Sequence, residues 1–190
     1  RRFWFILVFW GSFSDLAAQR VIDIDQGQGI ALGKQLQYFV DSSRQLQLAD
    51  VRKLPFLQSG ADMFNLGNLP GHVWIRFSIH SLAEDELYLT VDAPLMENLN
   101  LYEVSDSGSR SLFSGGFLKP FRDRPISSEN FQFNLHVPRG STRTFYMEMN
   151  SGFPMLIPVT IATKEYFIRE NQQHNVFWGF YMGIVLFAFL

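Results

Sequence analysis

Val73-Trp74-Ile75-Arg76-Phe77-Ser78-Ile79-His80 alternates apolar with polar or amphipathic residues without a break. Successive side chains of a strand point to opposite faces, so a period of two marks a strand with one packed face and one polar face. The same period runs through Leu87, Leu89 and Val91, set against Tyr88, Thr90 and Asp92. It returns in Phe131, Phe133, Leu135 and Val137 against Gln132, Asn134, His136 and Pro138, and in Phe145, Met147 and Met149 against Tyr146, Glu148 and Asn150. Weaker strands are predicted over 36–40, 99–104 and 156–162. Turn chemistry separates them: Gly67-Asn68-Leu69-Pro70-Gly71, Asp106-Ser107-Gly108, Gly115-Gly116 and Pro138-Arg139-Gly140. Short strands with regular turns and no helices between them predict an all-β, antiparallel sandwich. Only 164–173 reads as a helix, a short connector.

Outward from this core, the two ends carry membrane chemistry. Arg1-Arg2 precedes an apolar run from Phe3 to Trp10, and Leu16-Ala17-Ala18 offers small residues for processing. A positive start, a short apolar core and small cleavage residues describe a secretory signal peptide over 1–18. Its apolar core is shorter than the ~20 residues that cross a bilayer. At the other end, 176–190 holds no charged residue. Phe177, Trp178, Phe180 and Tyr181 crowd its start, as aromatics do at a bilayer interface. Gly179 and Gly183 form a small-xxx-small spacing that lets another helix, or a second copy in a homodimer, approach closely. The predicted organisation is a signal peptide (1–18), a lead-in (19–35), an exported sandwich (36–163), a connector helix (164–175) and the start of a transmembrane helix (176–190).

Composition narrows the function classes. The 190 residues carry 16 Lys and Arg against 18 Asp and Glu, a formal charge of −2, without any long run of one sign. A nucleic-acid binder would show a basic stripe, so that class is set aside. With no cysteine in the chain, disulfides, thiolate metal sites, a Cys nucleophile and a lipidated Cys anchor are excluded. Aromatics reach 16%, including 20 Phe, which fits a filled core or a membrane contact. Motifs of the G-x-S-x-G, H-E-x-x-H and G-x-x-x-x-G-K types are missing, and the four His have no metal-ligand spacing. No cofactor or metal is expected; Asp92, Glu97 and Asn98 fall short of the six to eight oxygens calcium takes.

Four segments stand in an order that carries a resemblance: Ile30-Ala31-Leu32-Gly33, Gly71-His72-Val73-Trp74-Ile75-Arg76-Phe77, Pro94-Leu95-Met96-Glu97-Asn98-Leu99-Asn100-Leu101-Tyr102 and Lys119-Pro120-Phe121-Arg122-Asp123-Arg124-Pro125-Ile126. Together they resemble the type 2 extracellular domain of bacterial seven-transmembrane receptors with diverse intracellular signalling modules. Gly179-Phe180-Tyr181-Met182-Gly183-Ile184 is similar to the opening of that family's first membrane helix. The resemblance covers roughly 30–190. It implies a jelly-roll sandwich like that of carbohydrate-binding modules, placed before seven membrane helices and a cytoplasmic output such as a diguanylate cyclase or histidine kinase. The location it implies is the periplasmic side of the inner membrane.

With the apolar parity of each strand facing the core, the other parity collects Trp74, Arg76, Gln132, Asn134, His136, Tyr146 and Glu148. An aromatic platform with amides and one cation suits a sugar, whose ring stacks while polar groups read its hydroxyls. The alternative is that Trp74 is covered by the N-terminal segment and Arg76 pairs with a carboxylate. Arg122 and Arg124 offer two guanidiniums able to grip carboxylates or phosphates, or else they serve a solvated turn. A small polar ligand, a carbohydrate first, is therefore the expected partner, with the bilayer engaged by the C-terminal helix. Other readings are an envelope protein-interaction module, and a glycan-processing enzyme using Glu148 and Asp92 as paired carboxylates.

Overall fold

The computed structural model describes residues 20–67, 71–82 and 85–189. The predicted signal peptide, and residues 68–70 of the predicted 67–71 turn, lie outside the described residues. In chain order the elements are β1 (Val21–Ile24), β2 (Gly29–Ala31), β3 (Gln37–Asp41), α1 (Leu48–Val51), β4 (Leu57–Gln58), β5 (Phe64–Gly67), β6 (His72–Ser81), β7 (Glu86–Val91), β8 (Asn98–Ser105), β9 (Gly108–Gly115), β10 (Phe131–His136), β11 (Thr142–Asn150), β12 (Met155–Ile157), β13 (Val159–Thr163) and α2 (Lys164–Ala188).

Two main sheets enclose the core. The larger runs β4-β3-β6-β11-β8-β9, and the smaller runs β10-β7-β13-β2; β12 and β5 form a separate pair. Strand β6, the decisive stretch, is the spine of the larger sheet. It pairs with β11 along one edge and with β3 and then β1 along the other. Every pairing is antiparallel except β1 with β6. The segment predicted as a lead-in thus supplies β1 and β2 to the two sheets, and the antiparallel expectation is corrected at β1. A parallel partner leaves no hairpin signature in sequence, because its connection is long.

Parity sets the core as predicted. Val73, Ile75, Phe77 and Ile79 of β6 meet Leu87, Leu89 and Val91 of β7 and Phe131, Phe133 and Leu135 of β10 in one cluster, each at most 3% exposed. Register puts Phe77 opposite Phe145, where the rings stack at 5.5 Å. Each such side chain contributes about 1.5–3 kcal/mol by leaving water. A second, smaller cluster lies on the outer face of the larger sheet, where Val51 and Phe56 pack on Trp74, Val104 and Tyr146. Its cover is the β3–β4 connection, anchored by Asp41. That carboxylate accepts from the Ser43 hydroxyl and from the backbone N–H groups of Ser43 and Leu46.

Connector and apolar segment form one helix, α2, continuous from Lys164 to Ala188. Among the described residues no helix is long and apolar enough to cross a membrane on its own. The helix leaves β13 and folds back along the outer face of the smaller sheet, parallel to β7. Lys164 lies 3.5 Å from Glu86, Phe167 stacks on Tyr88 at 4.3 Å, and His174 lies 3.4 Å from Glu129. Beneath the first turn, Gly29 leaves room for Tyr166: a Cβ there would fall 2.3 Å from the ring.

Candidate functional site

The polar parity divides between two faces. Trp74, Arg76, Tyr146 and Glu148 lie on the outer face of the larger sheet, paired across β6 and β11 as Trp74 with Glu148 and Arg76 with Tyr146. Gln132, Asn134 and His136 lie on β10 in the smaller sheet. The expectation of one shared platform is corrected: these residues occupy opposite sides of the sandwich, because parity fixes the side of a strand but not the sheet it joins.

On the larger sheet the platform is closed. Trp74 is 1% exposed and Tyr146 5% exposed. The β3–β4 connection covers them with Phe56, which stacks edge-on with Tyr146. The Arg76 guanidinium donates to the Gln37 side-chain oxygen at 2.7 and 3.0 Å and sits 4.5 Å from the Phe56 ring centre. The cover comes from the β3–β4 connection, inside the predicted sandwich, and not from the N-terminal segment that one sequence alternative named. The Arg76 partner is an amide where that alternative expected a carboxylate. Trp74 Nε1 is buried without a hydrogen-bond partner.

Beside this cover a polar ladder stays partly open. His72 Nδ1 lies 2.8 Å from Glu148 Oε1, and Asn100 donates to Glu148 Oε2 at 2.9 Å. Asn150 Nδ2 faces His72 Nε2 at 3.1 Å, while Asn98 donates to Asn150 Oδ1 at 3.0 Å. A neutral imidazole protonated on Nδ1 satisfies every partner. Tyr102 stacks on Trp74 at the edge of this ladder. Burial, and then the nearby Glu148 charge, raise the phenol's pKa above its ordinary value.

On the smaller sheet, α2 roofs a cleft of about 330 Å³. Thr90, Gln132 and Thr160 form its floor, brought side by side by the strand register. Tyr166, Phe167, Glu170, Asn171 and His174 of α2 form its roof, and Asp92, Ser128, Glu129 and Asn130 close one end. Gln132 Nε2 reaches across to Asn171 Oδ1 at 3.5 Å. The lining combines amides, hydroxyls, two aromatic rings and three carboxylates, which suits a hydroxyl-rich or amine-bearing molecule better than an anion.

Asn134 and His136 are exposed on β10 outside this cleft. Arg124 supports the cleft indirectly. It donates to the backbone carbonyls of Ser128 and Glu129, and its guanidinium lies 4.4 Å from the Phe131 ring centre. Burial pushes its pKa below the usual arginine value. Arg122 is exposed, 3.9 Å from Asp123. The two arginines form a turn and its brace, and do not converge on one anion.

Sequence reading missed the α2 side of the cleft, since helical periodicity does not say which sheet a helix will cover. One signal was present: Gly29, Ala31 and Ala162 are small residues on one face of paired strands, a flat bed for a helix.

The family model described as 7TMR-DISM extracellular 2 matches residues 33–163, more than half of the chain. The chain belongs to this family. As a 7TMR-DISM extracellular domain it is a periplasmic sensor domain of an inner-membrane receptor, in a family of receptor modules rather than catalysts. Among curated proteins none matches the chain. Among solved structures, a β-glucuronidase from Ruminococcus gnavus in complex with an N1-substituted uronic isofagomine aligns at a TM-score of 0.34 and 8% identity. That alignment covers 75% of this chain and 31% of the glucuronidase, so the chain spans about a third of that enzyme's length.

Proposed function

We propose that this 7TMR-DISM domain senses a small polar ligand, a carbohydrate first, in the cleft between the smaller sheet and α2. Its sandwich is read as a jelly roll of the kind carbohydrate-binding modules use. The observation that carries the proposal is that one cleft is floored by the sandwich and roofed by the helix. An occupant there touches both bodies at once. A ligand shifts a receptor only through different affinity for two states, and a ligand bridging sheet and helix discriminates between any two positions of α2.

The apolar half of α2 supports the rest of the reading. Val176, Phe180, Ile184 and Phe187 are each more than half exposed, a state that water penalises and a bilayer relieves. In this proposal 176–189 begins the first membrane helix and carries the displacement of α2 to a cytoplasmic output of the cyclase or histidine kinase type. Gly179 and Gly183 have open space around them, which leaves the helix free to meet a neighbouring helix or a second copy. The preceding 1–18 is read as the export signal.

A thermal-shift screen of the full chain against neutral sugars, amino sugars, amino acids and dicarboxylates tests the ligand. A binder at a hundredfold excess over its Kd stabilises by about 2.7 kcal/mol. Stabilisation by sugars or amino sugars, and none by dicarboxylates, is the expected pattern. The absence of any stabilising compound favours a protein partner instead.

A further inference from the structure

We infer that the loop end of the sandwich from which α2 departs is a membrane-contacting collar, resting on the lipid headgroups around the helix. The inference builds on the reading that the apolar half of α2 enters the bilayer.

The strand register defines this end. In the smaller sheet the end of β7 at Val91 pairs with the start of β10 at Phe131, and in the larger sheet the start of β8 at Asn98 and Leu99 pairs with the ends of β11 at Asn150 and of β9 at Gly115; the β7–β8 connection joins the two groups. The β7–β8, β9–β10 and β11–β12 connections therefore emerge together and touch. Phe117 donates its N–H to the Met96 carbonyl at 2.8 Å. A Cβ on Gly116 would fall 1.7 Å from the Glu97 carbonyl oxygen, and one on Gly152 would fall 2.9 Å from the Glu97 carboxylate. The three loops are thus one surface.

That surface is apolar where a free protein surface is ordinarily polar. Leu95 is 56% exposed, Leu118 69%, Phe121 53%, Phe153 48% and Leu156 47%. Leu95, Phe153 and Leu156 line one hollow. Lys119 and Arg122 lie among them, exposed, as cations that complement anionic headgroups; Asp123 stands beside Arg122, Asp92 is exposed on the wall of the hollow and Glu97 is half-buried. Aromatic and leucine side chains interleaved with basic ones suit an interface where one end is apolar and the other wet.

The direction of α2 identifies the occupant. The helix crosses from the Glu86 end of β7 to the Glu129 end, and Trp178 shares the wall of a second cleft with Ile126 and Ser127 of the β9–β10 loop. From Trp178 to Ala188 it extends about 15 Å further, apolar and exposed. A bilayer that receives this segment is brought level with the loops it has just passed. The face opposite this end, at the 105–108 turn, carries no such patch among the described residues.

The chain has no cysteine, so single introduced thiols report single positions. Four variants of the full chain, Leu118→Cys, Phe153→Cys, Phe187→Cys and Ser107→Cys, are labelled with an environment-sensitive fluorophore. They are reconstituted into phosphatidylcholine–phosphatidylglycerol vesicles holding a spin label at headgroup level or deep in the acyl chains. The collar predicts that labels at 118 and 153 lose most of their emission to the headgroup-level spin label. The label at 187 should respond to the deep one and that at 107 to neither. Quenching at 187 with none at 118 and 153 overturns the collar and leaves the membrane helix standing; no quenching at 187, 118 or 153 overturns both. Loss at 118 and 153 that follows protein density rather than spin-label content assigns the patch to a second copy and also overturns the collar.

Discussion

Tyr88 of β7 and Phe167 of α2 stack with ring centres 4.3 Å apart and planes within 15°, joining the sandwich to the helix that leaves it. A stacked pair contributes about 0.5–1.5 kcal/mol beyond its buried area. A double-mutant cycle with Tyr88→Ala and Phe167→Ala should give a coupling of about 1 kcal/mol by this scale. Hydrogen exchange of the 164–174 amides should quicken in either variant while the β6 and β11 amides stay protected. A coupling of zero means that the helix is not docked on the sheet in solution.

Gly29→Ala should displace the first turn of α2, because the new Cβ meets the Tyr166 ring at 2.3 Å. Removing that ring relieves the clash. Gly29→Ala combined with Tyr166→Ala should therefore restore exchange protection over 168–174 that Gly29→Ala alone loses. A double variant no better than the single one points to a backbone role for Gly29 instead.

Trp74→Ala should destabilise the domain by about 3–5 kcal/mol, the usual range for truncating a buried aromatic. Trp74→Phe should cost clearly less, since it keeps most of the packing against Tyr102 and discards a buried N–H that has no partner. Denaturant titration of the three proteins gives the order. Equal losses for Ala and Phe would mean that the indole N–H finds a partner in solution.

Asp41 gives the fold an acid-sensitive point. Burial acts to raise its pKa, but the Ser43 hydroxyl and the N–H groups of Leu46, Ser43 and Arg44 outweigh it and hold the carboxyl below its ordinary value. A depressed native pKa adds stability that is fully present above the unfolded value near ~3.9 and is lost as pH falls through the native value. Asp41→Asn should be less stable than the parent at neutral pH, with the gap closing as pH drops below about 4. A gap independent of pH would show that the loop does not use the charge.

Much of the fold was legible because period-two alternation is a direct record of which side of a strand is packed. Val73, Ile75, Phe77 and Ile79 read as inward and are inward. The site was less legible. Trp74 and Gln132 share polar parity but sit on different sheets, since alternation carries no information on strand adjacency. Trp74 is also closed by α1 and Phe56, a local cover too short to leave a helical period. Strand β9 was missed because Gly108-Ser109-Arg110-Ser111 lacks apolar residues, and its register shifts opposite Leu101 and Tyr102. The roof of the cleft came from a helix whose polar half gave no sign of the face it would lie on.

The central claim is that ligand binds between the smaller sheet and α2, and a compound that stabilises the full chain locates its own site through paired variants. Thr90→Val with Gln132→Leu alters the cleft floor, and Asn100→Leu with Glu148→Gln alters the polar ladder on the other face. Measured by calorimetric titration, affinity should fall at least about tenfold in the cleft variant, the scale of one or two lost hydrogen bonds, and stay unchanged in the ladder variant. Unchanged affinity in the cleft variant, with loss in the ladder variant, would contradict the account and move the site to the His72–Glu148 face.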